Sequence, residues 1–383
     1  MYFDKEHNDL RMMIRRFVEQ EVNPHVDEWE EARIFPAHDL FGKMGELGLL
    51  GLMYEEAYGG GGMDYWYEAV LLEEIGRIKC GGVPMAIAVQ NDMATPALAE
   101  HGTLEQKEKF LKPAISGEAV FSIAVSEPDA GSDVAGITTT ATDDGDHWVI
   151  NGSKMWITNG TQADYLTLLA RTDKRDRGYR GMSLIVVPTD VEGFSVSKKL
   201  EKMGNHSSDT AILSFDDVRV PKANTIGQEG MGFMLQMEQF QVERLAASLM
   251  SVAGMEVIVD MTVDYCKQRH TFKRPLMDNQ WIQFKISELK TEIELLKHLN
   301  YYCVRKYVAG KDMTREASMA KLKMGRLNRQ VADICMQFHG GIGYTEEYPL
   351  ARYYRDSRLG SIGGGADEIM LGIIAKMDGL MDN

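Results

Sequence analysis

Cysteine is scarce in this sequence, and its four copies, Cys80, Cys266, Cys303 and Cys335, lie far apart without a CxxC pair. That argues against a disulfide framework or a structural zinc site and favours buried free thiols in a reducing compartment. Long apolar runs are missing as well. No stretch approaches the roughly 18 consecutive apolar residues of a membrane span, so no membrane span is expected. The N-terminus has no apolar signal-peptide core, and its Asp4 and Glu6 are acids that a transit peptide avoids. A bacterial cytoplasm is the expected location, or the mitochondrial matrix if a presequence has been removed. Positive charge is also in short supply: the formal net charge of −15 argues against nucleic-acid binding, which needs a basic face. The same deficit means that any anionic cofactor requires a local cluster of donors.

What is present falls into three textures over a length too great for one hydrophobic core. Up to about residue 115, helical periods are broken by glycine, with Leu10, Met13, Ile14, Phe17 and Val18 marking one apolar face. From about 121 to 221 the sequence reads as strands. There, His147 to Ile150, Asn151-Gly152 and Lys154 to Thr158 predict a hairpin with a type I′ turn. Beyond Gly230 the helical period returns, over about 231–268, 280–309 and 314–338, where proline is rare. The organisation expected is α+β: an all-α domain at 1–116, a β domain of barrel-like form at 117–226 and a helical bundle at 227–383. No GxGxxG follows a strand and opens a helix, so a doubly wound dinucleotide fold is disfavoured.

Three segments carry candidate chemistry. Ser126-Glu127-Pro128-Asp129-Ala130-Gly131-Ser132-Asp133 is either an ordinary polar loop or a nest of backbone N–H groups suited to a phosphate or an electron-rich ring edge. Trp156 and Thr158 stand two apart on a strand, which puts both on one face. That suits stacking beside a flat cofactor, or simply a half-buried strand. Gln337-Phe338-His339-Gly340-Gly341 follows a predicted helix and either caps it or lets backbone approach a phosphate.

In this order, on this background, the segments resemble those of the acyl-CoA dehydrogenases, and the resemblance runs along essentially the whole chain. The texture around Gln239 to Leu245 and Gly363 to Met370 is similar to the long-chain and isovaleryl branch, and closest to the bacterial citronellyl-CoA dehydrogenases. The resemblance implies FAD, an acyl-CoA substrate, electron-transferring flavoprotein as acceptor and a homotetramer. It places Ile123, Val125, Ser126 and Gly131 at the flavin, Ser132 at the pyrophosphate or CoA, and Trp156 and Thr158 beside the ring. Arg269 and Phe272 match a segment that reaches the cofactor of a neighbouring subunit, and Gln280, Gln337, Gly340 and Gly341 match adenosine and pyrophosphate contacts. A bidentate guanidinium at Arg269 would meet the charge deficit.

Removing an α-proton from a thioester needs a dry, suitably tuned base. One branch of the family places its glutamate on the C-terminal loop, but the matching position here is Gly364. The other branch places it on a long helix, matching Glu243. Glu243 shares a helical face with Gln239, Phe240, Ala246, Ala247 and Met250, which is not a solvated face. The resemblance further gives Arg244 a supporting or CoA-binding role and Gly364 a backbone N–H on the thioester carbonyl. Glu368 is assigned to capping the last helix or touching FAD. Glu127 and Asp367 match no base position, and Ala366 stands where relatives often carry a threonine. Two other readings are a flavin oxidase or monooxygenase on the same fold, and a non-catalytic flavoprotein.

Overall fold

The computed structural model describes residues 2–173 and 178–381. Eight helices build the first layer: α1 (Lys5–Phe17), α2 (Val26–Ala32), α3 (Ala37–Glu46), α4 (Tyr65–Ile75), α5 (Gly82–Ala88), α6 (Pro96–His101), α7 (Leu104–Gln106) and α8 (Lys112–Ser116). Asp4 starts α1 with a capping box shared with His7. A π-helical stretch, Val89–Ala94, continues α5 without a break.

Eight strands follow: β1 (Phe121–Ala124), β2 (Thr140–Asp144), β3 (His147–Thr158), β4 (Tyr165–Arg171), β5 (Met182–Pro188), β6 (Phe194–Lys199), β7 (Thr210–Pro221) and β8 (Thr225–Ile226). They form one sheet in the order β6-β7-β3-β2-β4-β5-β8, with β1 parallel to β4. The expected barrel does not close. One edge ends in the largely exposed β6 and the other in the two-residue β8, so neither edge presents a full ladder to the other.

The expected hairpin at Asn151-Gly152 is also absent. β3 runs straight through it, and the reversal falls at Gly145, where φ is +72°. Asn151 and Gly152 instead occupy a bulge opposite β7. There the Asn151 side chain exchanges two 2.9 Å hydrogen bonds with Asp217, fixing a position that would otherwise turn.

The third layer is the bundle of α9 (Gly232–Gln268), α10 (Gln280–Val308), α11 (Thr314–His339), α12 (Pro349–Ser357) and α13 (Asp367–Met377), with a short β9 (His270–Thr271) and β10 (Arg274–Pro275) between α9 and α10. By length and composition alone α9 is apolar enough to cross a membrane. It is instead a core helix: Leu245, Leu249, Val252, Met255 and Val259 along it are buried against α4, α10 and α11. Its approach to α4 is closest where Gly76 meets the Met250 carbonyl. A Cβ on Gly76 would lie 2.3 Å from that oxygen.

Candidate functional site

Glu243 lies about a third of the way along α9 and is buried. Its Oε1 accepts from Gln239 Nε2 at 2.9 Å and from Gln236 Nε2 at 3.3 Å. These amides stand one and two turns before it on the same helix face. Burial pushes the Glu243 carboxyl up to about 8, against the two glutamines and the Arg244 charge, while Asp92 pushes in the same direction as burial. Arg244 is buried beside it, with Nε lacking a partner, and desolvation lowers its pKa. No hydrogen bond joins the two side chains among the described residues, as neighbours on a helix point apart.

The C-terminal loop is tied to this region by a lysine that the sequence did not single out. Lys321 on α11, almost fully buried, donates from Nζ to the carbonyls of Gly360 at 2.9 Å and Gly365 at 2.5 Å. Burial pushes its pKa down to about 8; Asp367 opposes this and Arg244 adds to it, so the loop lies within the field of the arginine that follows Glu243. Gly364 and Gly365 have φ of +64° and +96°, a path closed to most side chains. Asp367 is engaged by Arg326 and Arg329. Glu368 is exposed, and no side chain caps α13, so its expected capping role fails; Ala366 is the cap residue and has no oxygen to offer.

A second cluster joins β1, β3 and the loop after β1. Lys154, fully buried, donates to the Val125 carbonyl at 2.8 Å and to Glu127 at 2.9 Å. Glu127 also accepts from the backbone N–H groups of Thr138 at 2.7 Å and Thr139 at 2.9 Å. Burial would raise its pKa, but Lys154 and these donors hold it down at about 2; burial in turn lowers Lys154 to about 8. The clamp fixes the 126–136 loop, and Met155 N–H donates to the Ser126 carbonyl at 2.9 Å. Ser126 is thereby held against Met155, the residue before Trp156. The tryptophan sits on a second bulge of β3 with φ of +67°, an outlier for so bulky a residue, and is 59% exposed. Buried Ile157 separates it from the half-buried Thr158. A flat exposed aromatic held off the sheet, next to a loop where a Cβ on Gly131 would meet nothing within 4 Å, fits a planar cofactor with a polar tail. Ile123 is half-buried, Val125 buried and Ser132 exposed.

The remaining predicted residues form a third group at one end of the bundle. Arg269, Phe272, Gln280, Gln337, Gly340 and Gly341 are all exposed, Phe272 by 96%. The 5.4 Å contact of the Trp281 and Phe338 rings and the Tyr265 hydrogen bond to the His339 carbonyl draw the ends of α9, α10 and α11 together.

Lys154, Gln236 and Lys321 were missed. The one available signal was Lys154, a charge at an inward position of an alternating strand.

The chain matches the acyl-CoA dehydrogenase N-terminal domain at residues 4–118, the middle domain at 122–218 and the C-terminal domain at 230–377. It is 37% identical to the mitochondrial long-chain specific acyl-CoA dehydrogenase of Sus scrofa over 98% of this chain and 86% of that one. With the mitochondrial short-chain specific enzyme of Rattus norvegicus it shares 35% identity over 96% and 89%. An acyl-CoA dehydrogenase from Geobacillus kaustophilus superposes with a TM-score of 0.95 at 41% identity, covering 98% of each chain. Three consecutive domain matches and relatives aligned end to end place the chain in the acyl-CoA dehydrogenase family, whose members are FAD-dependent oxidoreductases acting on acyl-CoA.

Proposed function

We propose that this chain desaturates an acyl-CoA thioester between Cα and Cβ, with Glu243 as the base that takes the α-proton. The observation that carries the reading is a buried carboxylate on α9, bonded to two amides and, among the described residues, to no cation, with its pKa raised to about 8. Such a group is a competent base near neutrality. Bound FAD supplies the two-electron oxidation that takes the β-hydrogen as hydride. Ile123, Val125, Ser126, Gly131, Trp156 and Thr158 would hold its ring, and Ser132 its pyrophosphate or the CoA. The Gly364 N–H would polarise the thioester carbonyl as negative charge develops on it, and the α-proton would move to Glu243 Oε. Arg244 supports the site or CoA. Arg269 and Phe272 would reach the cofactor of a neighbouring subunit in a homotetramer, and Gln280, Gln337, Gly340 and Gly341 would contact its adenosine and pyrophosphate, consistent with the exposure of all six.

The glycine-only loop at Gly364 leaves room around Cα and Cβ, which supports a preference for branched or terpenoid-like chains over short straight ones. Electron-transferring flavoprotein is the proposed acceptor. Oxygen uptake without an added acceptor would mark an oxidase or monooxygenase instead. The test is anaerobic bleaching of the flavin by a panel of acyl-CoAs: branched chains should bleach fastest, and a clear lead for butyryl-CoA would refute the preference.

A further inference from the structure

Beside the base lies a second set of buried acids that proton abstraction does not use. Glu68 on α4 and Asp92 on the π-helical stretch are 3% and 2% exposed. Three oxygens there have no hydrogen-bond partner among the described residues: Glu68 Oε1, Asp92 Oδ2 and the hydroxyl of Tyr65, itself 1% exposed. Glu68, Asp92 and Tyr65 act on one another electrostatically, and Asp92 also acts on Glu243. The link to the base runs through Gln239. Gln239 Nε2, which donates to Glu243, also donates to the carbonyl of Met93, the residue after Asp92.

Neighbouring groups do not consume these oxygens. The Tyr54 hydroxyl is engaged with the Asn91 carbonyl at 2.7 Å and Thr95 at 2.8 Å. Tyr307 contributes a ring 4.9 Å from that of Tyr65. Burial raises both carboxyls, Asp92 to about 7 and Glu68 well above the carboxylate range; the Asp92 charge raises Glu68 further, and a hydrogen bond from Asn91 opposes the rise. Buried polar atoms without partners are costly, and each calls for a bound group, a water or a functional role. A purely apolar acyl chain would leave all three oxygens unmet. An ammonium would have to surrender its hydration to a buried pair whose charged forms burial disfavours. A hydroxyl can donate one bond and accept another, which matches acceptor and donor groups held side by side.

We propose that Glu68, Asp92 and Tyr65 form a polar subsite next to the base that binds a hydroxyl carried on the acyl chain, making hydroxylated acyl-CoAs the preferred substrate class. This rests on the dehydrogenase reading and narrows its acyl group. The test compares kcat/KM and anaerobic flavin bleaching of the holoenzyme on one acyl-CoA skeleton, unsubstituted, with a hydroxyl moved carbon by carbon, and with an amino group at the same positions. One hydroxyl position should exceed the unsubstituted parent by about tenfold or more, since a site built for a hydroxyl rejects analogues that lack it. Asp92→Leu should erase that ratio and melt no lower than the parent protein, because an apolar side chain replaces an unpartnered acid. Tyr65→Phe, which removes only the hydroxyl, should lower the ratio several-fold. The subsite is overturned if the unsubstituted or amino chain is best, or if both variants keep the ratio. Failure of every acyl-CoA to bleach the flavin, the unsubstituted one included, overturns the dehydrogenase reading and the subsite with it.

Discussion

Glu243 titrates near 4.5 in an unfolded chain and at about 8 in its buried place on α9. Over that window the native state holds a proton that the unfolded state has released. Raising the pH from 4.5 to 8 therefore lowers stability, and above about 8 the whole cost is present. Activity runs the other way, because a base must be unprotonated: kcat/KM should climb with pH along a limb centred near 8. Glu243→Gln should retain flavin, lose turnover by a factor on the order of 10²–10⁴, and become the more stable protein above pH 8. Flavin absorbance, a pH–rate profile and urea titrations check the three; wild-type turnover in that variant would sink the assignment. A different cost attaches to Lys154. Lys154→Met leaves Glu127 charged and buried without its cation, so unfolding titrations should show a loss of about 3–5 kcal/mol. Both residues illustrate what a single position discloses. Glu243 was legible because its helical neighbours are apolar or amide. Lys154 was not, because its partners, the Val125 carbonyl and Glu127, are 29 and 27 positions away.

At the scale of elements, the angle at which α9 meets α4 sets where Glu243 sits relative to the N-terminal helices. The contact has no slack at Gly76, whereas a Cβ on Gly254 would stand 3.3 Å from the Gly76 carbonyl. Gly76→Ala should accordingly cost about 1–3 kcal/mol through overpacking, and Gly254→Ala less. Thermal melts of the two variants give the order, and equal losses would show that the crossing yields. The long helices were readable from period and from the scarcity of proline, since i, i+3 and i+4 neighbours carry the pattern locally. β3 was misread for the opposite reason. Asn-Gly favours a turn on local grounds, but the ladder to β7 and the Asn151–Asp217 bonds outweigh it, and a bulge absorbs the glycine.

For the whole molecule, the exposed group at the bundle end is the outstanding surface feature. Phe272 is 96% exposed, Tyr344 83% and Trp281 54%, large apolar side chains of the kind an interface would cover. With the proposed assembly, sedimentation should give about four times the mass of one chain. Phe272→Asp should shift it to smaller species and lower flavin occupancy together. A monomer with full flavin would refute the cross-subunit contact. Under the same proposal Arg269, at that end, would donate to a pyrophosphate despite the net charge of −15. The sequence by itself determined the three-part α–β–α order, the helices and their faces, and the glutamate set on a face that is not solvated, because each depends on spacing within one segment. Only the tertiary structure decided that the sheet stays open, that Lys154 and Lys321 clamp the two loops, and that Glu68, Asp92 and Tyr65 are buried within electrostatic reach of one another, and Asp92 of Glu243. Those outcomes depend on side chains from distant segments competing for the same buried hydrogen bonds, and no local pattern records that competition.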